Sequence, residues 1–236
     1  MTAYREWTPP SDLSPLIECL WTRSDNGGRG SATILPDGCI DLIIDTLSGE
    51  AFLVGTMTRP LEVEAARRDL TAIRFRPGGA TSFFSFSARG VVDQRLPLDS
   101  IWRASEVADL IDKLSDRDLP RRLDLLMSTL RHREKTRPGA DRVLAAAQLL
   151  RSLTVEQTAS ALGLSRQHLS RLSLEHVGVS PKRLARILRF RDATTAIRRG
   201  SSPLVDLALA AGYADQSHMN RDFREFAGTA ASRFLS

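Results

Sequence analysis

Two groups of polar side chains recur at helical spacing late in the chain, and their chemistry is suited to reading base edges. The first is Arg166, Gln167, Ser170 and Arg171, with His168 among them; the second is Gln216, Ser217, Asn220 and Arg221, with His218 among them. Arginine presents parallel donors that match guanine O6 and N7, and glutamine or asparagine pairs with adenine N6 and N7. Serine hydroxyls and helix N-termini suit phosphate oxygens. His168 and His218 are read as phosphate or packing residues. The four histidines, His132, His168, His176 and His218, are not at zinc-finger spacing, and two cysteines cannot build a four-thiolate site. No metal, cofactor or catalysis is expected.

The surrounding pattern is what would position these groups. Thr154 with Gln157 three residues on can form a capping box, Val155, Ala159 and Leu162 make an apolar face, and Gly163 permits the left-handed turn that ends a helix. Ser165 can then cap a second helix that buries Leu169 and Leu172 and leaves the polar group outside. About fifty residues later the order returns, with Ala208 before Gly212, Asp215 as cap, and Met219, Phe223 and Phe226 as the buried side. Each unit has the form of a helix-turn-helix, whose second helix enters a major groove. Between them Ser180-Pro181 starts a helix carrying Leu184, Ile187, Leu188 and Ile197, with Arg183, Arg186, Arg189, Arg191, Arg198 and Arg199 crowded around them. At 1.5 Å per residue this spacer is about 28 Å long, near the ~34 Å of one DNA turn.

Charge agrees with that division. Residues 141–236 hold 14 basic against 8 acidic side chains, whereas residues 1–140 hold 19 against 20, so the excess of +5 sits in the C-terminal part. A basic module joined to a neutral one points to nucleic acid or an anionic surface. The chain is 236 residues long, 42% hydrophobic and 26% charged, enough for one or two cores. No window approaches the ~18 apolar residues of a membrane span and no apolar signal core follows Met1, so a cytoplasmic location without membrane partners is expected. Cys19 and Cys39 read as reduced, half-buried thiols.

The first ~95 residues read as short strands at residues 32–35, 39–45, 51–55, 61–65 and 71–75, separated by turn residues such as Pro36-Asp37-Gly38, Ser48-Gly49 and Pro77-Gly78-Gly79. Residues 80–86 fit helix or strand. Helical spacing begins at 105–114 and 119–133, with Leu119, Leu123, Leu126, Met127 and Leu130 on one face, and a polar stretch ends at Pro138-Gly139. The expected fold class is α+β: an N-terminal β-barrel or cupin-like domain over residues 1–100, a helical dimerisation or linker segment over 101–137, and an all-α domain with two helix-turn-helix units over 138–236. Trp21, Asp41, Phe52, Arg74, Arg76 and Phe83 are the residues that could line an effector pocket, with plain core packing as the competing reading for each.

The run Leu207-Ala208-Leu209-Ala210-Ala211-Gly212-Tyr213-Ala214-Asp215-Gln216-Ser217-His218, then Arg221-Asp222-Phe223-Arg224, together with Gly178-Val179-Ser180-Pro181, resembles the DNA-binding domain of the AraC/XylS family of bacterial transcription regulators. Residues 35–43 and 74–80 resemble an uncharacterised cupin-like domain found on some of them. The resemblance implies a nucleoid-associated bacterial regulator. Its partners would be double-stranded promoter or operator DNA, RNA polymerase, a small-molecule effector and a second copy of the chain. The second unit ends in Gly228-Thr229-Ala230-Ala231, without the proline that the family pattern has there. Two other classes compete: a DNA-repair alkyl-acceptor protein on the same module, which needs an activated cysteine, and a helical interaction module that binds no DNA. The operator, the effector, the oligomeric state and the sign of regulation are not written in the sequence.

Overall fold

The run Ile-Asp-Leu-Ile-Ile-Asp at residues 40–45 places Ile40, Leu42 and Ile44 on one side of a strand and Asp41, Ile43 and Asp45 on the other. That alternation organises the N-terminal half in the computed structural model, which describes residues 3–27, 30–200 and 203–234. Its strands are β1 (Ala3–Trp7), β2 (Ile17–Asn26), β3 (Ser31–Ile34), β4 (Ile40–Asp45), β5 (Glu50–Val54), β6 (Leu61–Glu64), β7 (Arg67–Phe75) and β8 (Arg95–Pro97). Six form an antiparallel sheet in the order β1-β2-β7-β4-β5-β8, and β3 pairs with β6 separately. The expected barrel is therefore an open sheet with edges at β1 and β8 and a two-stranded ribbon beside it.

Register decides what each face carries, because directly opposed residues point the same way. Leu20, Ile73, Leu42, Leu53 and Leu96 form one cross-sheet row, and this face holds the main core. Helices α1 (Ala104–Ser115) and α2 (Leu119–Arg131) lay Val107, Leu110, Leu114, Leu126, Met127 and Leu130 into that same core. Trp21, Ala72, Ile43 and Phe52 form a row on the opposite face, beside a second row of Cys19, Arg74, Asp41 and Val54. The register shifts between Ile17 and Cys19, so Glu18 is the extra residue of a bulge in β2.

The remaining helices are α3 (Ala140–Leu149), α4 (Val155–Ala161), α5 (Arg166–His176), α6 (Pro181–Arg199), α7 (Leu204–Ala210) and α8 (Gln216–Ala227). They make two small cores that share α6. Leu184 and Leu188 pack with Val143, Ala147, Leu150, Leu172 and Val177, while Ile187, Phe190, Ala193 and Ile197 pack with Ala208, Tyr213, Met219, Phe223 and Phe226. The apolar residues of α6 thus face two directions.

The two halves meet closely. Leu35 packs against the second of these cores. A Cβ on Gly38 would lie 3.1 Å from Leu184, one on Gly78 2.9 Å from Val143, and one on Gly178 2.6 Å from the Ala88 carbonyl. Thr81 and His176 share a hydrogen bond of 2.7 Å, and the other ring nitrogen of His176 lies 3.2 Å from the Pro138 carbonyl.

Strands β1 and β2 lie outside the segments expected from sequence. In β2 the bulge at Glu18 separates Ile17 from the alternation of Cys19 and Trp21, which then continues into the polar Arg23 and Asp25, and this hides its period. Residues 80–86, ambiguous in sequence, hold a short 3-10 turn at Ala80–Ser82, and all three of its residues are buried. It follows Gly79, where a Cβ would stand 2.2 Å from the Leu16 carbonyl oxygen.

Candidate nucleic-acid interface

The first unit is assembled by local bonds. Thr154 accepts from the Gln157 N–H, and Gln157 returns the bond to the Thr154 N–H, closing the capping box at the start of α4. The chain then turns at Gly163, with φ +64°, and the Leu164 N–H donates to the Ala159 carbonyl over 2.9 Å. Ser165 caps α5 by accepting from the His168 N–H at 3.1 Å. Leu169 and Leu172 are buried beneath; Arg166, Gln167 and Arg171 are exposed, and His168 and Ser170 are half-buried.

The second unit repeats the construction. Gly212 turns with φ +79°, and the Tyr213 N–H donates to the Ala208 carbonyl over the same 2.9 Å. Asp215 caps α8 by accepting from the His218 N–H at 2.6 Å. Met219, Phe223 and Phe226 are fully buried. Ser217 and Arg221 are exposed, whereas Gln216, His218 and Asn220 are half-buried. The His218 ring stands edge-on to Tyr213 at 5.3 Å, and Asn220 accepts from the Ala231 N–H at 3.1 Å. That bond anchors the 3-10 turn Ala231–Phe234, after Gly228 has ended α8 in the left-handed conformation. A side-chain bond thus secures the segment where the family pattern places proline.

The arginines of α6 have other work than the sequence implied. Arg186 bonds Asp222, which is buried, at 2.7 Å and also meets Glu225; Arg183 pairs with Glu225 at 3.1 Å and donates to the Thr58 carbonyl. Arg189 lies over the Tyr213 ring and donates to the Gly212 carbonyl. Arg191 donates to Glu18 at 3.0 Å across the junction between halves. Burial alone would raise the Glu18 carboxyl, but the bond and charge of Arg191, with the charges of Arg74 and Arg76, more than offset it and hold the group below its ordinary value. Arg198 and Arg199, at the end of the helix, are exposed.

The six residues considered for an effector pocket do not converge on one place. Trp21 donates to Asp41 at 2.8 Å, Arg74 donates to Asp41 at 3.3 Å, and both sit on the sheet face opposite the main core, which Phe52 shares. Burial pushes the Asp41 carboxyl up, while Arg74 and the Trp21 N–H draw it back. The Arg95 guanidinium covers Phe52 at 3.3 Å. Phe83 lies across the sheet against Phe75 in the main core, and Arg76 donates to the Ser14 carbonyl at the end of β7. Cys19 and Cys39 are both buried; burial pushes the Cys19 thiol up to about 12 and raises Cys39 as well, the reverse of an activated nucleophile. Among the described residues no three His, Cys, Asp or Glu side chains group as metal ligands, and no helix is long and apolar enough to cross a membrane.

Two capped helix-turn-helix units built on one spacer helix define a DNA-binding transcription regulator. Comparison of sequences agrees: residues 158–236 match the family described as a helix-turn-helix domain, and residues 5–97 match a domain of unknown function. The C-terminal segment is a helix-turn-helix domain of the AraC type, joined to an N-terminal domain whose family has no assigned function. No curated protein sequence matches the chain. Among solved structures, ToxT from Vibrio cholerae aligns over 100% of this chain and 97% of its own, with 13% identity and a TM-score of 0.44. ToxT bound to (E)-4-(8-methylnaphthalen-1-yl)but-3-enoic acid aligns over the same shares with 12% identity and a TM-score of 0.48.

Proposed function

We propose that the chain is a sequence-specific regulator that reads two successive major grooves of promoter or operator DNA. Residues 138–236 would form the reading domain, with α5 and α8 as recognition helices. Arg166, Gln167, Arg171, Gln216 and Arg221 would meet base edges. Ser170, Ser217, His168 and His218 would meet phosphates, and the amide N–H groups of Asn220 would serve either. The observation that carries this reading is the duplicated turn, with the same 2.9 Å closing bond after each first helix and an exposed arginine, Arg171 or Arg221, on each second one. A spacer of 19 residues, about 28 Å, suits docking of both heads on one face of a duplex. The N-terminal half would act as the responsive unit. Its contacts with α5 and α6 mean that a ligand altering its packing also alters the setting of both heads.

Selection of bound duplexes from a random pool tests the reading. The expected product is a pair of half-motifs about 10 base pairs apart, bound with an affinity that falls steeply with salt. A pool that shows no sequence enrichment overturns it.

A further inference from the structure

A cavity of about 410 Å³ opens where the N-terminal half hands the chain on to the helix-turn-helix domain. Its inner wall is aromatic: Phe83, Phe84 and Trp102 are buried there, and Phe84 stacks on Trp102 with ring centroids 5.3 Å apart. Its outer wall is the segment after α2, which brings Arg133, Lys135 and Arg137 to the same space, and no carboxylate lines it.

The charges there are unequal. Arg133 is matched by Glu106 at 2.6 Å and lies over the Trp102 ring at 3.8 Å. Arg137 spends one donor on the neutral Phe86 carbonyl, and neither it nor Lys135 joins an ion pair among the described residues. Two unmatched cations thus stand over a buried apolar floor, in a volume typical of small-molecule sites. Isolated surface lysines need no explanation, but a cavity that combines an apolar base with an uncompensated positive rim favours a ligand that has both parts.

We propose that this cavity binds a small organic carboxylate with an apolar body, the body against Phe84 and Trp102 and the carboxylate on Lys135 and Arg137. It is a different place from the face that holds Trp21, Asp41 and Arg74. The site is wired to the reading head. Thr81 lines it and is bonded to His176, the last residue of α5, and His176 also bonds Pro138 in the segment that follows the cationic rim. The Lys135 N–H donates to the Ser82 carbonyl at 2.8 Å, so the rim and the inner wall move together. Binding would therefore be felt at α5, a consequence that rests on the DNA-reading function proposed above, whereas binding itself does not.

Calorimetry on the full chain without DNA tests the site, using naphthalene-2-carboxylate, its methyl ester and inorganic phosphate as probes. The carboxylate should bind saturably, and the ester and phosphate at least about tenfold more weakly, since each lacks one half of the recognition. Lys135→Glu should weaken the carboxylate about tenfold or more. Ser85→Trp, at an exposed position on the cavity wall, should block it while leaving the melting curve in place. Absence of binding up to millimolar probe overturns the proposal, as does binding indifferent to both substitutions. Fluorescence anisotropy on a selected duplex then reads the coupling: the carboxylate should change DNA affinity in the wild type and not in Ser85→Trp. An unchanged wild-type affinity overturns the coupling while leaving DNA binding itself intact.

Discussion

Arginines of one domain should divide into two kinds when changed to alanine, and the division follows from their partners. Arg171 and Arg221 are exposed on their recognition helices, and neither belongs to the ion pairs found among the described residues. Removing either should move stability by no more than about 0.5 kcal/mol. If each makes a bidentate base contact, its loss costs about 1–3 kcal/mol of binding, which is roughly 5- to 150-fold in affinity, concentrated on one half-site. The helices that carry them pack into different cores, so the double variant should show the sum. Arg186 is the opposite case. Its side chain is about one-quarter exposed, and it bonds Asp222, whose side chain is 2% exposed. Arg186→Ala leaves that carboxylate buried and without its partner, a loss of about 3 kcal/mol, at the low end for a broken buried pair because the arginine is partly solvated. For a chain of this size the melting temperature should fall by roughly 6–12 °C. The assay pairs thermal unfolding by circular dichroism with anisotropy on a selected duplex at one fixed salt concentration. The reasoning is refuted if Arg171→Ala and Arg221→Ala melt early yet bind normally, or if Arg186→Ala keeps its stability and changes sequence preference.

Further outcomes follow from the junction and the turns. Burial lowers the His176 pKa, against the smaller raising effect of the Pro138 bond, so the fold favours the neutral ring. The stability this contributes is complete above the unfolded value near 6.5 and is lost as pH falls through it toward the lowered folded value. Wild type should thus lose melting temperature relative to His176→Gln between about pH 7.5 and 5.5, and parallel pH profiles would count against the assignment. Gly163→Ala meets no atom within 4 Å and suffers only the left-handed backbone, about 1 kcal/mol or 2–4 °C. Gly178→Ala adds a Cβ 2.6 Å from the Ala88 carbonyl to a φ of +90°, so its melting temperature should fall at least twice as far; equal shifts would show that the junction yields freely.

What could be read from the residues was what is decided locally. The caps at Thr154, Ser165, Ser180 and Asp215 all form, because each needs only a side-chain oxygen and an N–H three residues on. The turn glycines at 163 and 212 are legible for the same reason. The partners of the α6 arginines were not legible because they are remote: Asp222 is 36 residues from Arg186, and Glu18 is 173 from Arg191. Charge counting cannot see such pairs. The N-terminal residues show the same limit. Asp41 and Arg74 are 33 apart and meet only because β4 and β7 pair in one register, and that register sends Phe75, with Phe83 packed on it, to the other side of the sheet.

The consequence is that α6 cannot serve as a passive spacer. Its two apolar directions make it a wall of both small cores, and its arginines tie it to α8 through Asp222 and to the N-terminal sheet through Glu18. Glu18 can reach across because the bulge in β2 releases it from the alternation of its strand. A shift of β2 at Glu18 would act on the helix that joins the two helix-turn-helix units, while Thr81 bonds the end of α5 itself. Two contacts at different points on the helical domain can turn it as well as translate it, and under the proposed reading of successive grooves both motions would alter the fit. Regulation of the proposed kind would therefore need no large opening of the junction: α6 packs in both small cores, so a small rotation of it would reach both heads at once.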